Sequence, residues 1–152
     1  MAEQTADAVQ ELIERVLEAL GLDATVDVRD DGETCTAVVH GEELGLFIGR
    51  HGQTIDAVQH LAQRVAGARG EHGRRIAVDA EGYRERRETM LRRQADHAAE
   101  TALSEGRPVA LDAMNANERR IVHEYLRDHD GLETYSEADE PDRHVVVAPS
   151  DS

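Results

Sequence analysis

The stretch Ile48-Gly49-Arg50-His51-Gly52-Gln53-Thr54-Ile55 constrains this chain more than any other. Two glycines, three positions apart, let the backbone turn sharply and approach a ligand with no Cβ in the way. The stretch runs straight into a helix-forming segment at Gln53. The free N–H groups of that first turn, and the positive end of the helix dipole, therefore point out of the loop. Arg50 adds a formal charge at the same place. Such a loop suits an anion, a phosphate above all. A helix-to-helix turn that merely needs two glycines has the same pattern, and a bare G-x-x-G is a weak signal.

The elements around the loop follow from periodicity. Val9, Leu12, Ile13, Val16, Leu17 and Leu20 form one apolar helical stripe, with Thr5 as its expected cap and Gly21 as its end. Val26 and Val28 alternate in a strand, Asp31-Gly32 is a two-residue hairpin turn, and residues 34–39 return as a second strand. Leu44 to Ile48 reads as a short helix. A longer helix over Gln53–Ala66 turns Ile55, Val58, Leu61, Ala62 and Val65 inward, and residues 75–79 form a third strand. From Gly82 to about Glu105 runs a helix of about 35 Å with no internal Gly or Pro. Tyr83, Met90, Leu91, Ala98 and Leu103 are its packing residues, and Arg84, Arg86, Arg87, Arg92 and Arg93 crowd its beginning. A short strand over 108–112, a helix capped by Asn115 or Asn117 and ending near Asp128, and strands over 132–136 and 144–148 complete the order. The expected division is 1–80, a linking helix 81–105 packing on 106–149, and a loose tail 150–152.

Composition bounds the function classes. The chain has 152 residues and a net charge of -15, and all 17 of its Lys-plus-Arg cations are Arg. An acidic body repels nucleic acid as a whole. The charge is uneven, however: residues 1–44 carry -10, residues 45–93 carry +4, and residues 94–152 carry -9. The glycine loop lies in the basic third. Cys35 is the single cysteine, which excludes an internal disulfide and a four-cysteine zinc site; on its strand it reads as a small buried hydrophobe. No apolar run is long enough to span a membrane, and MAEQTADAVQ lacks the basic start and apolar centre of a secretory signal. The expectation is a cytoplasmic protein without membrane insertion. Four aromatics, Phe47, Tyr83, Tyr125 and Tyr135, are too few for a fold that stacks bases on several rings. No nucleotide-hydrolysis or dinucleotide motif is present, and no compact ligand set for a metal. No cofactor and no catalytic activity are expected.

A second pattern is Arg119-Arg120-Ile121-Val122-His123. At about 100° per residue, Arg119, His123, Arg127 and Arg120 share one arc of a helix, with Ile121, Val122 and Tyr125 on the other side. Arg forks suit phosphate oxygens. By pattern alone, a solvated face with Glu118, Glu124 and Asp128 as neighbours is the better reading.

The I-G-x-x-G-x-x-I loop, set in a helix-strand-strand-helix-helix-strand order, resembles the type II KH domain, whose GXXG loop clamps the backbone of single-stranded nucleic acid. Arg-x-x-x-His, followed by Thr134-x-Ser136 and Glu140-Pro141-x-Arg143-x-Val145-Val146-Val147, resembles the R-three-H domain, a small single-stranded nucleic-acid-binding module. That family usually has Gly where Ala138 stands. The two domains, joined by Asp79-Ala80-Glu81-Gly82-Tyr83-Arg84-x-Arg86-Arg87, are together similar to the bacterial Jag/KhpB (SpoIIIJ-associated) family over residues 5–149. No counterpart of that family's N-terminal Jag domain is recognised, and nothing that depends on it is carried over.

The resemblance implies an α+β protein: a type II KH-like domain joined by a long helix to a small R-three-H-like domain. It implies a non-enzymatic binder of single-stranded RNA, a post-transcriptional regulator linked to cell elongation and division. Pairing with itself or with a small KH protein is implied too. Ile48, Gly49, Arg50, His51, Gly52 and Ile55 would form the backbone clamp and its groove. Arg84, Arg86 and Arg87 would extend it, and Arg119, Arg120, His123, Arg127 and Arg143 would meet phosphates from the second domain. A protein–protein adaptor with incidental nucleic-acid binding, and a single-stranded DNA binder, are the alternatives.

Overall fold

The computed structural model describes residues 2–151. The chain divides into two compact units, Met1–Arg84 and Glu85–Ser152. Both are α+β.

The first unit comprises α1 (Ala2–Ala19), β1 (Thr25–Asp30), β2 (Thr34–His40), α2 (Gly45–Ile48), a 3₁₀ turn (Arg50–Gly52), α3 (Gln53–Ala68) and β3 (Arg75–Ala80). β1 and β2 pair antiparallel, and because Asp31 N–H donates to the Thr34 carbonyl at 3.2 Å the two turn residues are Gly32-Glu33, one position past the expected Asp31-Gly32. The Asp31 carboxylate accepts the amides of Thr34 at 2.7 Å and Glu33 at 2.8 Å, and these bonds hold its pKa below the ordinary value. β2 and β3 pair parallel, with Cys35 opposite Ile76 and Ala37 opposite Val78. Parallel neighbours need a crossover, and α2, the 3₁₀ turn and α3 supply it. The glycine loop is thus the middle of a strand-to-strand connection.

One face of this sheet is dry. Cys35, Ala37, Val39, Ile76, Val78 and Ala80 pack against Val9, Ile13 and Leu17 of α1 and Ile55, Val58, Ala62 and Ala66 of α3. Burial raises the Cys35 thiol pKa, and the nearby Glu71 charge adds to that, so the thiol stays protonated and inert. Two expectations change. α1 begins at Ala2, so Thr5 is an interior helical residue, buried, and not the cap. In α3 the inward positions step 55, 58, 62, 66, which leaves Leu61 off the stripe and 50% exposed.

The second unit contains α4 (Tyr83–Glu105, apart from its first two residues), β4 (Val109–Ala110), α5 (Ala116–Leu126), β5 (Leu132–Glu137) and β6 (His144–Pro149). The sheet order is β4-β6-β5, antiparallel throughout. α4 buries Leu91, Ala95, Ala98, Ala99 and Ala102. This stripe is mostly alanine. Met90 and Leu103, expected to pack, are about half exposed. Val122 and Leu126 of α5, Met114, and Val145 and Val147 of β6 complete the core. The cap of α5 is Asn115, whose side chain accepts the Glu118 amide at 2.9 Å while the Glu118 carboxylate accepts the Asn115 amide at 3.3 Å. No helix among the described residues is long and apolar enough to cross a membrane, and no cluster of three His, Cys, Asp or Glu among them could hold a metal.

Candidate nucleic-acid interface

The glycine loop takes its shape from backbone angles that side chains resist. Gly49 sits at φ 76°, ψ 176°, a region essentially reserved for glycine, and Gly52 at φ 79°, ψ 14°, the left-handed region. The space is closed as well. A Cβ on Gly49 would lie 2.8 Å from the Thr54 amide nitrogen, and one on Gly52 would lie 2.8 Å from the Tyr83 hydroxyl. Each glycine is therefore required twice, by conformation and by contact. His51 also takes positive φ, at 55°.

What the loop offers is a set of amides. Gly49 N–H donates to the Gly45 carbonyl at 2.8 Å and Gly52 N–H to the Gly49 carbonyl at 3.3 Å. The amides of Arg50 and His51, between them, have no backbone acceptor outside the 3₁₀ turn among the described residues. Gly52 is the N-cap of α3 and has no side chain to cap it with. Gln53 N–H, the first amide of the 16-residue helix, donates to the Arg50 carbonyl, and no side chain caps the helix start. Arg50 is exposed at this point and has no ion pair among the described residues. Ile48 and Ile55 lie behind, half-buried and buried, and join the core. The predicted loop residues are thus brought together.

Tyr83 is the member that the loop pattern did not announce. It stands over Gly52 from the far end of the unit's chain. Arg84, next to it, donates to the Val78 carbonyl at 2.8 Å, Asp56 at 2.9 Å and Gln59 at 3.2 Å. It ties α3 to β3 and the start of α4, and its fork is engaged. Arg86 is exposed.

In the second unit the expected basic strip is not formed. Arg119 is buried at 8% exposure; Nη1 donates to the Met114 carbonyl and Nη2 to Glu140 at 2.7 Å. His123 meets Thr134 Oγ1 at 2.8 Å through Nδ1 and Ser136 Oγ at 3.0 Å through Nε2. Burial, and then the Arg119 charge, lower its pKa and favour the neutral ring. The Arg-x-x-x-His pair is therefore bonded to β5 and to the loop before β6. Arg87 is likewise engaged, with Glu118 at 2.6 Å. Arg143 donates to the Ala138 carbonyl at 2.8 Å. Ala138 takes φ 70°, the conformation a glycine there would hold without strain. Arg120 and Arg127 remain at the surface, Arg120 beside Asn117 at 3.1 Å.

Two families match the chain: the KhpA/KhpB KH domain over residues 6–79 and the R-three-H domain over residues 89–149. The chain is 32% identical over 148 residues to the RNA-binding protein KhpB of Clostridium symbiosum, covering 96% of this chain and 67% of that protein. It is 37% identical over 133 residues to the RNA-binding protein KhpB of Lactiplantibacillus plantarum, covering 88% of this chain and 41% of that one. With the RNA-binding protein KhpB of Bacillus subtilis it shares 29% identity over 138 residues, 90% of this chain and 66% of the relative. The chain thus spans between less than half and about two thirds of these relatives' lengths.

Proposed function

Because the chain belongs to the Jag/KhpB family, with a KH domain followed by an R-three-H domain, we propose that it binds single-stranded RNA through the loop Gly49–Gly52. The observation that carries this reading is the start of α3, uncapped by any side chain, beside the Arg50 and His51 amides and an exposed Arg50 without an ion pair among the described residues. An RNA phosphate fits that combination, and the glycines let the sugar-phosphate chain lie against the backbone. The acidic remainder of the surface suppresses non-specific association. On this reading the protein acts in the cytoplasm as a post-transcriptional regulator linked to cell elongation and division, without catalysis. On the expected 1–80, 81–105 and 106–149 division the primary contact falls in the first segment, within the unit Met1–Arg84.

The test is Arg50→Asp with His51→Asp in the full chain, read by anisotropy of a labelled single-stranded RNA. Affinity falls at least tenfold, and wild-type binding weakens steeply with salt as counterions are released. Unchanged affinity in the double variant, or a flat salt response, sinks the loop reading.

Leu46 at 63% exposure and Leu61 at 50% support a second contact on the same unit, a second copy or a small KH protein. An equal-mass RNA and DNA competition separates RNA from DNA binding.

A further inference from the structure

The R-three-H unit has a groove that its named motif does not touch. It encloses about 450 Å³, an ordinary size for a small-ligand site. One wall is α4, which contributes Met90, Arg93, Gln94 and His97; the other is β4 and the residue after it, with Asp112 at the rim. The floor is apolar, formed by Ala98, Val109 and Leu111.

Three observations say what fits. First, Arg119, His123, Arg87 and Arg143 are committed to internal partners, whereas exposed Arg93 has no hydrogen bond or ion pair among the described residues. Second, Leu111 N–H donates to the Val145 carbonyl, so the alternation of an antiparallel ladder turns the N–H and C=O of Ala110 away from β6, to the open edge. That is one donor and one acceptor side by side, the complement of a base edge. β4 is two residues long and offers no further pairs, too few to zip up a peptide strand. Third, the groove's lining holds one guanidinium, Arg93, one imidazole, His97, and one carboxylate, Asp112. A bare anion would be repelled by Asp112, but a ligand that carries a phosphate at one end and a hydroxyl donor at the other satisfies both Arg93 and Asp112.

We propose that this groove is a subsite for one unstacked ribonucleotide of a single-stranded RNA. Arg93 takes the phosphate, the base lies on the Met90 and Leu111 side chains with its edge at Ala110, and Asp112 accepts from the ribose 2′-hydroxyl. Met90, whose sulfur accepts from Arg87 Nη1 at 3.6 Å, and the aliphatic Leu111 serve a base face in a chain with few aromatic rings. The subsite rests on the RNA-binding reading, and it extends that reading to the second unit and to discrimination of RNA from DNA.

The experiment uses the full chain with a random-sequence 12-nucleotide RNA and its deoxy counterpart. Arg93→Glu weakens RNA binding about tenfold and lowers the salt slope by about one. Arg15→Glu, with the same charge change on α1, leaves affinity within twofold. Asp112→Asn, which keeps an acceptor oxygen but removes its charge, shrinks the RNA-over-DNA preference about fivefold. Photocross-links from 4-thiouridine RNA fall within residues 90–98 and 109–112. Far-UV circular dichroism verifies that each variant is folded. If Arg93→Glu matches Arg15→Glu while the wild type binds RNA, the groove proposal is overturned and the loop reading stands. If the wild type binds no RNA, the loop reading fails first. Intact RNA binding with loss of a protein partner in Arg93→Glu would assign the groove to a peptide and overturn the proposal.

Discussion

Gly52 meets Tyr83 so closely that the two positions should be thermodynamically coupled, and the size of the coupling follows from the geometry. A methyl group at Gly52 would lie 2.8 Å from the Tyr83 hydroxyl and 3.0 Å from its ring edge. The left-handed backbone at φ 79° costs an alanine about 1–2 kcal/mol. Overpacking against the ring adds about 1–3 kcal/mol, and the stiffer unfolded chain returns about 0.4–1 kcal/mol. Gly52→Ala therefore destabilises the wild type by about 2–4 kcal/mol. With Tyr83→Leu the ring is gone and only the backbone part remains, about 1 kcal/mol. The double-mutant cycle then shows a coupling of about 1–3 kcal/mol. Urea unfolding followed by far-UV circular dichroism measures it, with hydrogen exchange at β2 and β3 assigning the transition to the first unit. Equal costs for Gly52→Ala in both backgrounds would refute the claim that Tyr83 sets the loop from behind.

Two further outcomes concern the second unit. Glu118 combines a capping box with a buried pair to Arg87, at 12% and 8% side-chain exposure. Glu118→Ala leaves that guanidinium buried and unpaired and costs about 3–5 kcal/mol, whereas Glu118→Gln, which keeps the reciprocal cap, costs markedly less, both read by thermal unfolding. His123 has a lowered pKa in the folded state. The unfolded ring takes a proton first as pH falls below about 6.5, so stability is full above that value and declines below it until the folded ring also titrates. His123→Gln removes that part of the pH dependence in a series of melts, and an unchanged acid limb would contradict it.

The sequence carried the loop well because glycine marks backbone demand locally. The positive φ angles at Gly49 and Gly52, the existence of a hairpin at Gly32 (though one position later than expected) and the cap at Asn115 are all decided within four residues of chain. Patterns of helical faces carried less. Leu61 and Met90 lie one position off their buried stripes, a difference of one helical step that only packing partners decide. The least legible feature was the state of the cations. Arg119 falls on the expected arc with His123, but Glu140 and the Met114 carbonyl hold it, and neither is a helical neighbour on that arc. Arg84 and Arg87 are held by Asp56 and Glu118 in the same way. A composition count treats every arginine alike, and tertiary partners sort them into staples and free charges.

The crossover between β2 and β3 ties recognition to folding. Its ends are fixed only when Cys35 and Ala37 line up with Ile76 and Val78, a pairing between distant parts of the chain. Before that register exists, the local turn at Gly49 and Gly52 is not anchored to the sheet at either end. An RNA held by the loop, as proposed, would select the completed sheet, and each bound strand would add its mass-action free energy to the stability of the first unit. On that proposal the ligand is also a folding agent, and a cell rich in target RNA would hold more of this protein in its native state.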